Sequence, residues 1–337
     1  MLQIENKVQE IDGIRHDSIP IEVLNSTRPL LLRGLVRDWP VAQAARESAA
    51  AAARYLLDHY NNATIGLFFL APEACGRIFY NEDLSGFNYE PVMSKLDEAL
   101  DRILFHLNDG RAPAIYVGST TVETCLPGFR KNNDIDLGDH EPLVSLWCGN
   151  RSRVAAHFDV PDNIACCAVG RRRFILFPPE ELENLYVGPI DFTPAGQAIS
   201  MVDFHAPDFE RYPRFRKALS NAQVAEHDTG DALFLPSMWW HHVEALEGFN
   251  VLINYWWKRG PSYRDDPKNV LNHALLSLRE LPGEQRKAWL NIFKHYVFEF
   301  DEESVSHIPQ GRRGILSEID ENMARKIRAD LLNRLNR

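Results

Sequence analysis

Between Ala114 and Trp257 the chain carries eight short apolar runs: AIYVGST, LVSLWCG, NIACCAV, RFILFPP, AQVAEH, DALFLP, HHVEAL and NVLINYWW. Clusters of Gly, Pro, Asn and Asp separate them. Brief runs rich in β-branched and aromatic residues, broken at close intervals by turn formers, predict an antiparallel β-sandwich or barrel. The flanks read differently. VAQAARESAAAAARYLLDHY, after Pro40, is alanine-rich without interior Gly or Pro and predicts a single helix. IPIEVLNSTRPLLLRGLVRDWP, before it, predicts two strands divided by an Asn-Ser-Thr turn, and NATIGLFFLAP with GRIFYNE predicts a hairpin. In PVMSKLDEALDRILFHLNDG the spacing of Met93, Leu96, Leu100, Ile103, Leu104 and Leu107 predicts a helix ending at Gly110. After Gly260, three stretches with apolar residues three or four apart predict a helical appendage.

The 337 residues are 45% apolar and 25% charged, the composition of a soluble globular protein, and can fill one large or two ordinary domains. A net charge of -10 repels a phosphate backbone on average, which argues against nucleic acid as a partner. No stretch reaches transmembrane length, and MLQIENKVQEIDGIR scatters charges where a secretory leader needs an apolar core, so the expected location is the cytoplasm. Five cysteines without a C-x-x-C pair suit buried thiols in a reducing compartment better than a disulfide framework or a zinc ribbon.

Two fragments carry chemistry. HFDVPDN (157–163) places His157 and Asp159 two apart, on one face of a strand, with Phe158 opposite. PSMWWHHVEAL (236–246) offers a third donor from a distant strand, His241 or His242. Two histidines, one carboxylate and open positions form the facial triad of non-haem Fe(II) oxygenases, whereas structural zinc takes four protein ligands, usually with thiolate. Alone, H-x-D is most often an ordinary pair, and a histidine behind two tryptophans is most often core. Together, on opposite sides of a strand-rich region, they favour a metal.

HFD, GRRRFILFPPEELENLYVGP, MVDFHAPDFERYPRF, GDALFLPSMWWHHVEAL and NVLINYWW together resemble the JmjC and cupin-like oxygenases, most closely the asparaginyl hydroxylases of factor-inhibiting-HIF type and their bacterial relatives. The resemblance covers residues 11–260. It implies a mainly β fold with helical additions: a double-stranded β-helix, or jelly roll, with its core at about 111–260. It further implies a C-terminal dimerisation region over 261–337, hence a homodimer, with Fe(II) as metal and 2-oxoglutarate as cosubstrate.

Residue by residue, the resemblance makes His157, Asp159 and His241 the iron ligands, with His242 facing away. It lines the 2-oxoglutarate site with Tyr116, Asn163 and Asn254, and puts Arg172 where the family has a lysine for the distal carboxylate. Arginine can serve there through a bidentate fork. Val154 replaces a family threonine, and Ser119 or Thr120 is the expected substitute donor. His205 and His227 read as surface histidines, Arg171 as a solvated turn residue, and Trp240 and Trp256 as pocket wall and core. The family's arginine-glutamine pair for asparagine falls on Ala198 and Ile199, with Gln197 displaced, so asparagine specificity does not transfer. The expected activity is 2-oxoglutarate-dependent hydroxylation of a C–H bond, with a protein side chain as one substrate class. Alternatives are N-methyl demethylation, hydroxylation of a small molecule or nucleotide, and a non-catalytic metal-binding sensor or binding module.

Overall fold

Each of the eight predicted runs forms a strand in the computed structural model, which describes residues 2–194 and 196–336. In chain order the strands are β1 (Gln9–Asp12), β2 (Leu30–Arg33), β3 (Thr64–Leu70), β4 (Arg77–Ile78), β5 (Glu90–Lys95), β6 (Ala114–Thr121) and β7 (Leu143–Gly149). They continue as β8 (Ser152–His157), β9 (Asp162–Val169), β10 (Arg171–Phe177), β11 (Gln223–Asp228), β12 (Ala232–Leu235), β13 (Trp240–Ala245) and β14 (Asn250–Trp257). Two sheets result, ordered β1-β2-β12-β9-β14-β7-β6-β3-β5 and β11-β10-β13-β8-β4. Both are mostly antiparallel, with parallel pairs only at β1–β2 and β4–β8. This is a jelly roll with helical additions.

Side-chain alternation sorts the residues into layers. Leu31, Ala165, Leu233 and Leu252 from the larger sheet meet Phe174, Leu176, Ala225 and Val243 from the smaller one, forming the core between them. The other face of the larger sheet is buried against the helices Pro40–Glu47, Ala49–Leu57 and Leu96–Phe105. The other face of the smaller sheet, with Ile175, Phe177 and Trp240, packs on Phe204 and Phe215. Strand β10 therefore sends Phe174 and Leu176 inward and Ile175 and Phe177 outward, and by the same parity Arg172 points inward.

Four local readings are corrected. Ile21–Leu24 is a helical turn, so only Leu30–Arg33 of that segment is a strand. The alanine-rich helix breaks at Ser48, which is extended (φ -170°, ψ 161°) and caps the second half by accepting from Ala51 N–H at 3.0 Å. NATIGLFFLAP and GRIFYNE form no hairpin: β3 pairs with β5 and β6, while β4 joins β8 in the other sheet. The predicted helix at Met93 starts only at Leu96, because Glu90–Lys95 completes the edge of the larger sheet.

Contacts divide the chain into two units, Met1–Arg259 and Gly260–Arg337. The second unit is helical, as expected, with helices Pro267–Leu278, Gly283–Phe293 and Glu321–Leu335. Asp266 and Asp320 cap two of them. Four cysteines are buried and Cys75 is exposed. No helix among the described residues is long and apolar enough to cross a membrane.

Candidate metal centre

His157 and His241 face each other across the β8–β13 pair. On β13, His241 and Val243 are two residues apart, while their partners on β8, His157 and Val154, are three apart. The extra residue is a β-bulge. Ala155 and Ala156 both pack outward, so Val154 and His157 both face the interior. A regular strand with Val154 inward would have turned His157 away from its partner. Asp159 lies just beyond the end of β8, not within the strand as its spacing suggested. Its carbonyl accepts from Met238 N–H at 2.9 Å, and Met238 holds a left-handed φ of 68° three residues before His241. One backbone bond thus ties the two ligand-bearing segments.

Donor atoms of His157, Asp159 and His241 all lie within 4.8 Å of one another. His241 Nε2 is 3.7 Å from an Asp159 oxygen, and the imidazole centroids are 4.3 Å apart. Nδ1 of His157 lies 2.9 Å from Ala155 O, and Nδ1 of His241 lies 2.9 Å from Trp239 O. A carbonyl only accepts, so both Nδ1 atoms carry the proton and both Nε2 lone pairs are free for a ligand. Burial, reinforced by His157, pushes His241 down to about 4, which keeps it in the neutral form that binds metal. Two neutral imidazoles and a carboxylate, with no cysteine beside them, fit a divalent cation bound from one side.

His242 points the other way, as expected, with Nε2 3.2 Å from Glu244 and its ring against Phe204.

The three donors open into a cavity of about 320 Å³, also lined by Tyr116, Asn163, Arg172 and Asn254. All seven residues singled out in the sequence therefore converge on one space. Asn254 donates to the Asn163 side-chain oxygen at 2.8 Å, while Asn254 Oδ1 stays buried without a partner. Burial pushes the Tyr116 phenol well up, so it remains a donor at any physiological pH. Arg172 is 4% exposed, makes no ion pair or hydrogen bond among the described residues, and its Nε is orphaned. Burial lowers its pKa, yet guanidinium does not lose its proton in proteins. A buried positive charge facing an apolar-walled cavity calls for an anion.

Trp256 lines the cavity and Trp240 sits in the outer core, so both serve packing, with wall and core exchanged relative to the order expected. Val154 and Ser119 also line it, with Ser119 Oγ 3.1 Å from Ser145 Oγ, whereas the Thr120 hydroxyl turns to Gly118 O at 3.0 Å. Arg171 is on the exposed outer face. His205 is exposed and pairs with Glu244 at 2.8 Å.

His227 corrects its reading as a surface residue: it is 0% exposed and lies directly across from Arg172 in the β10–β11 register. The alternation of QVAEHD, with Ala225 and His227 buried and Glu226 and Asp228 exposed, was the available signal.

A family model described as cupin-like domain matches residues 17–263. This chain belongs to the cupin-like domain family. Its cupin-like relatives include tRNA wybutosine-synthesizing protein 5 of Gallus gallus, 34% identical over 145 residues, 39% of this chain and 42% of that protein. Lysine-specific demethylase JMJ31 of Arabidopsis thaliana is 32% identical over 34% of this chain and 21% of that protein. HSPB1-associated protein 1 of Homo sapiens is 32% identical over 44% of this chain and 30% of that protein. The matches thus span less than half the length of these relatives. They support JmjC and cupin membership without singling out the asparaginyl hydroxylases.

Proposed function

We propose that this cupin-like chain is an Fe(II)- and 2-oxoglutarate-dependent oxygenase that hydroxylates a C–H bond. The observation that carries the reading is one cavity holding both a three-donor cluster, His157, Asp159 and His241, and an unpaired buried guanidinium, Arg172. A keto-diacid is the kind of ligand that satisfies both. When bound, iron and 2-oxoglutarate supply oxygen activation coupled to decarboxylation to succinate and CO2. The chain's own residues bind and orient. Arg172 meets the distal carboxylate with its fork, Tyr116 donates its hydroxyl beside it, and the Asn163–Asn254 pair presents fixed amide groups to the keto-acid. Trp147, Trp256, Phe174 and Leu252 wall the space and keep water from it.

The relatives' names favour two substrate classes, a tRNA nucleotide and a methylated lysine, alongside the protein side chain drawn from the family resemblance. The test is anaerobic reconstitution with Fe(II) and labelled 2-oxoglutarate, followed by air, with a peptide pool or a tRNA pool from cell extract. Succinate should rise in one pool above the unstimulated rate. Neither binding of 2-oxoglutarate nor succinate in any arm would leave a non-catalytic binding module as the reading.

We also propose a homodimer formed through residues 261–337. Leu276, Leu290 and Phe298 are 78%, 64% and 75% exposed, a large apolar surface for one small helical unit. Light scattering should return twice the 38.6 kDa chain mass, and a monomer at micromolar concentration overturns the proposal.

A further inference from the structure

Two orphaned polar groups sit side by side behind the cavity. Arg172 Nε is buried without a partner, and so are both ring nitrogens of His227. The antiparallel register sets the two residues directly opposite each other on β10 and β11, and both point into the space between the sheets. The His227 ring is held edge-on against Phe174 at 5.1 Å, and Phe174 itself lines the cavity. Natural interiors leave few such groups unpaired, and each one calls for a reason.

The chemistry of the two side chains is complementary. A guanidinium has five N–H donors, and a bidentate fork to one carboxylate uses two of them. A lysine in the same place would carry no fixed Nε–H to satisfy on the side away from the ligand. Burial, together with the charges of Arg172 and Arg33, depresses His227 to about 3, so its ring is neutral and keeps one accepting nitrogen. That nitrogen is an uncharged acceptor directly across from Arg172, where a carboxylate would instead compete with the incoming anion for the guanidinium.

The two groups face each other without bonding in this structure. Building on the reading of this cavity as a 2-oxoglutarate site, we propose that His227 is a positioning residue that accepts from the Arg172 Nε–H once the cosubstrate is bound and so aims the fork at its distal carboxylate. It acts through the arginine and does not line the cavity itself. Its contribution is therefore to affinity and to the chain length of the dicarboxylate admitted.

The test is calorimetry under nitrogen on the full chain loaded with Mn(II), titrating 2-oxoglutarate and its one-carbon-longer homologue 2-oxoadipate. His227→Val is expected to weaken 2-oxoglutarate about tenfold, the size of one buried hydrogen bond to a charged group, and to narrow its margin over 2-oxoadipate. His227→Gln keeps an accepting oxygen and should recover most of the loss. In an Arg172→Lys background the His227→Val change should cost less than about twofold, which a merely structural histidine would not predict. Equal 2-oxoglutarate affinity in the wild type and a folded His227→Val variant overturns the role of His227 alone. So does a loss that persists undiminished in the Arg172→Lys background, or one that His227→Gln does not repair. No binding by the wild type overturns this proposal and the cosubstrate reading together.

Discussion

Asp159→Ala is expected to lower Mn(II) affinity more than about 100-fold, beyond the cost of losing only an outer partner of a ligand, and to abolish substrate-stimulated succinate formation. The reason is the donor count. His157 and His241 bring no charge, so the Asp159 carboxylate is the one anionic donor in the cluster. Alanine leaves two imidazoles whose centroids are only 4.3 Å apart and no charge to balance a divalent ion. The metal-free protein should keep its melting temperature, because Asp159 anchors its turn through the backbone bond from Met238 and not through its side chain. Manganese binding followed by electron paramagnetic resonance reads the effect without turnover. Undiminished binding in the variant would remove Asp159 from the ligand set.

Arg172→Met is expected to move stability and function in opposite directions. A buried guanidinium with no carboxylate partner costs several kcal/mol of desolvation, and a thioether of similar length returns part of it. A gain of about 1–4 kcal/mol in unfolding free energy follows, visible as a rise in Tm. Affinity for 2-oxoglutarate should meanwhile fall by about 30-fold or more, the usual cost of deleting one partner of a buried charge pair. Denaturant melts and calorimetry on the same preparation check both signs. A destabilised variant with unchanged 2-oxoglutarate affinity would make Arg172 a structural residue.

The site is more legible in the sequence than the frame around it. His157, Asp159, His241, Tyr116, Asn163, Arg172 and Asn254 are named by short motifs, and the cavity collects them all. The edge strands are less legible because their identity is non-local. Glu90–Lys95 carries a helix-like spacing into Leu96, yet β3 offers it a free edge to pair with. Ser48 looks like one more small residue in an alanine run until its hydroxyl is seen to start a new helix. His227 is easily misplaced because Asp228, Thr229 and Gly230 announce a turn, and the strand runs on through Asp228 before it. A regular two-residue period suggests the inward aim of His157, whereas the bulge at Ala155 and Ala156 is what delivers it.

The Met238 tie has a consequence for when the protein becomes competent. Its donors stand far apart along the chain, at positions 157, 159 and 241, and meet only when β13 docks on β8. Closing so long a loop is a late event in the folding of a β-rich domain. A nascent polypeptide emerging up to Trp240 carries two of the three donors, so a divalent ion would meet the complete set only after β13 has paired with β8.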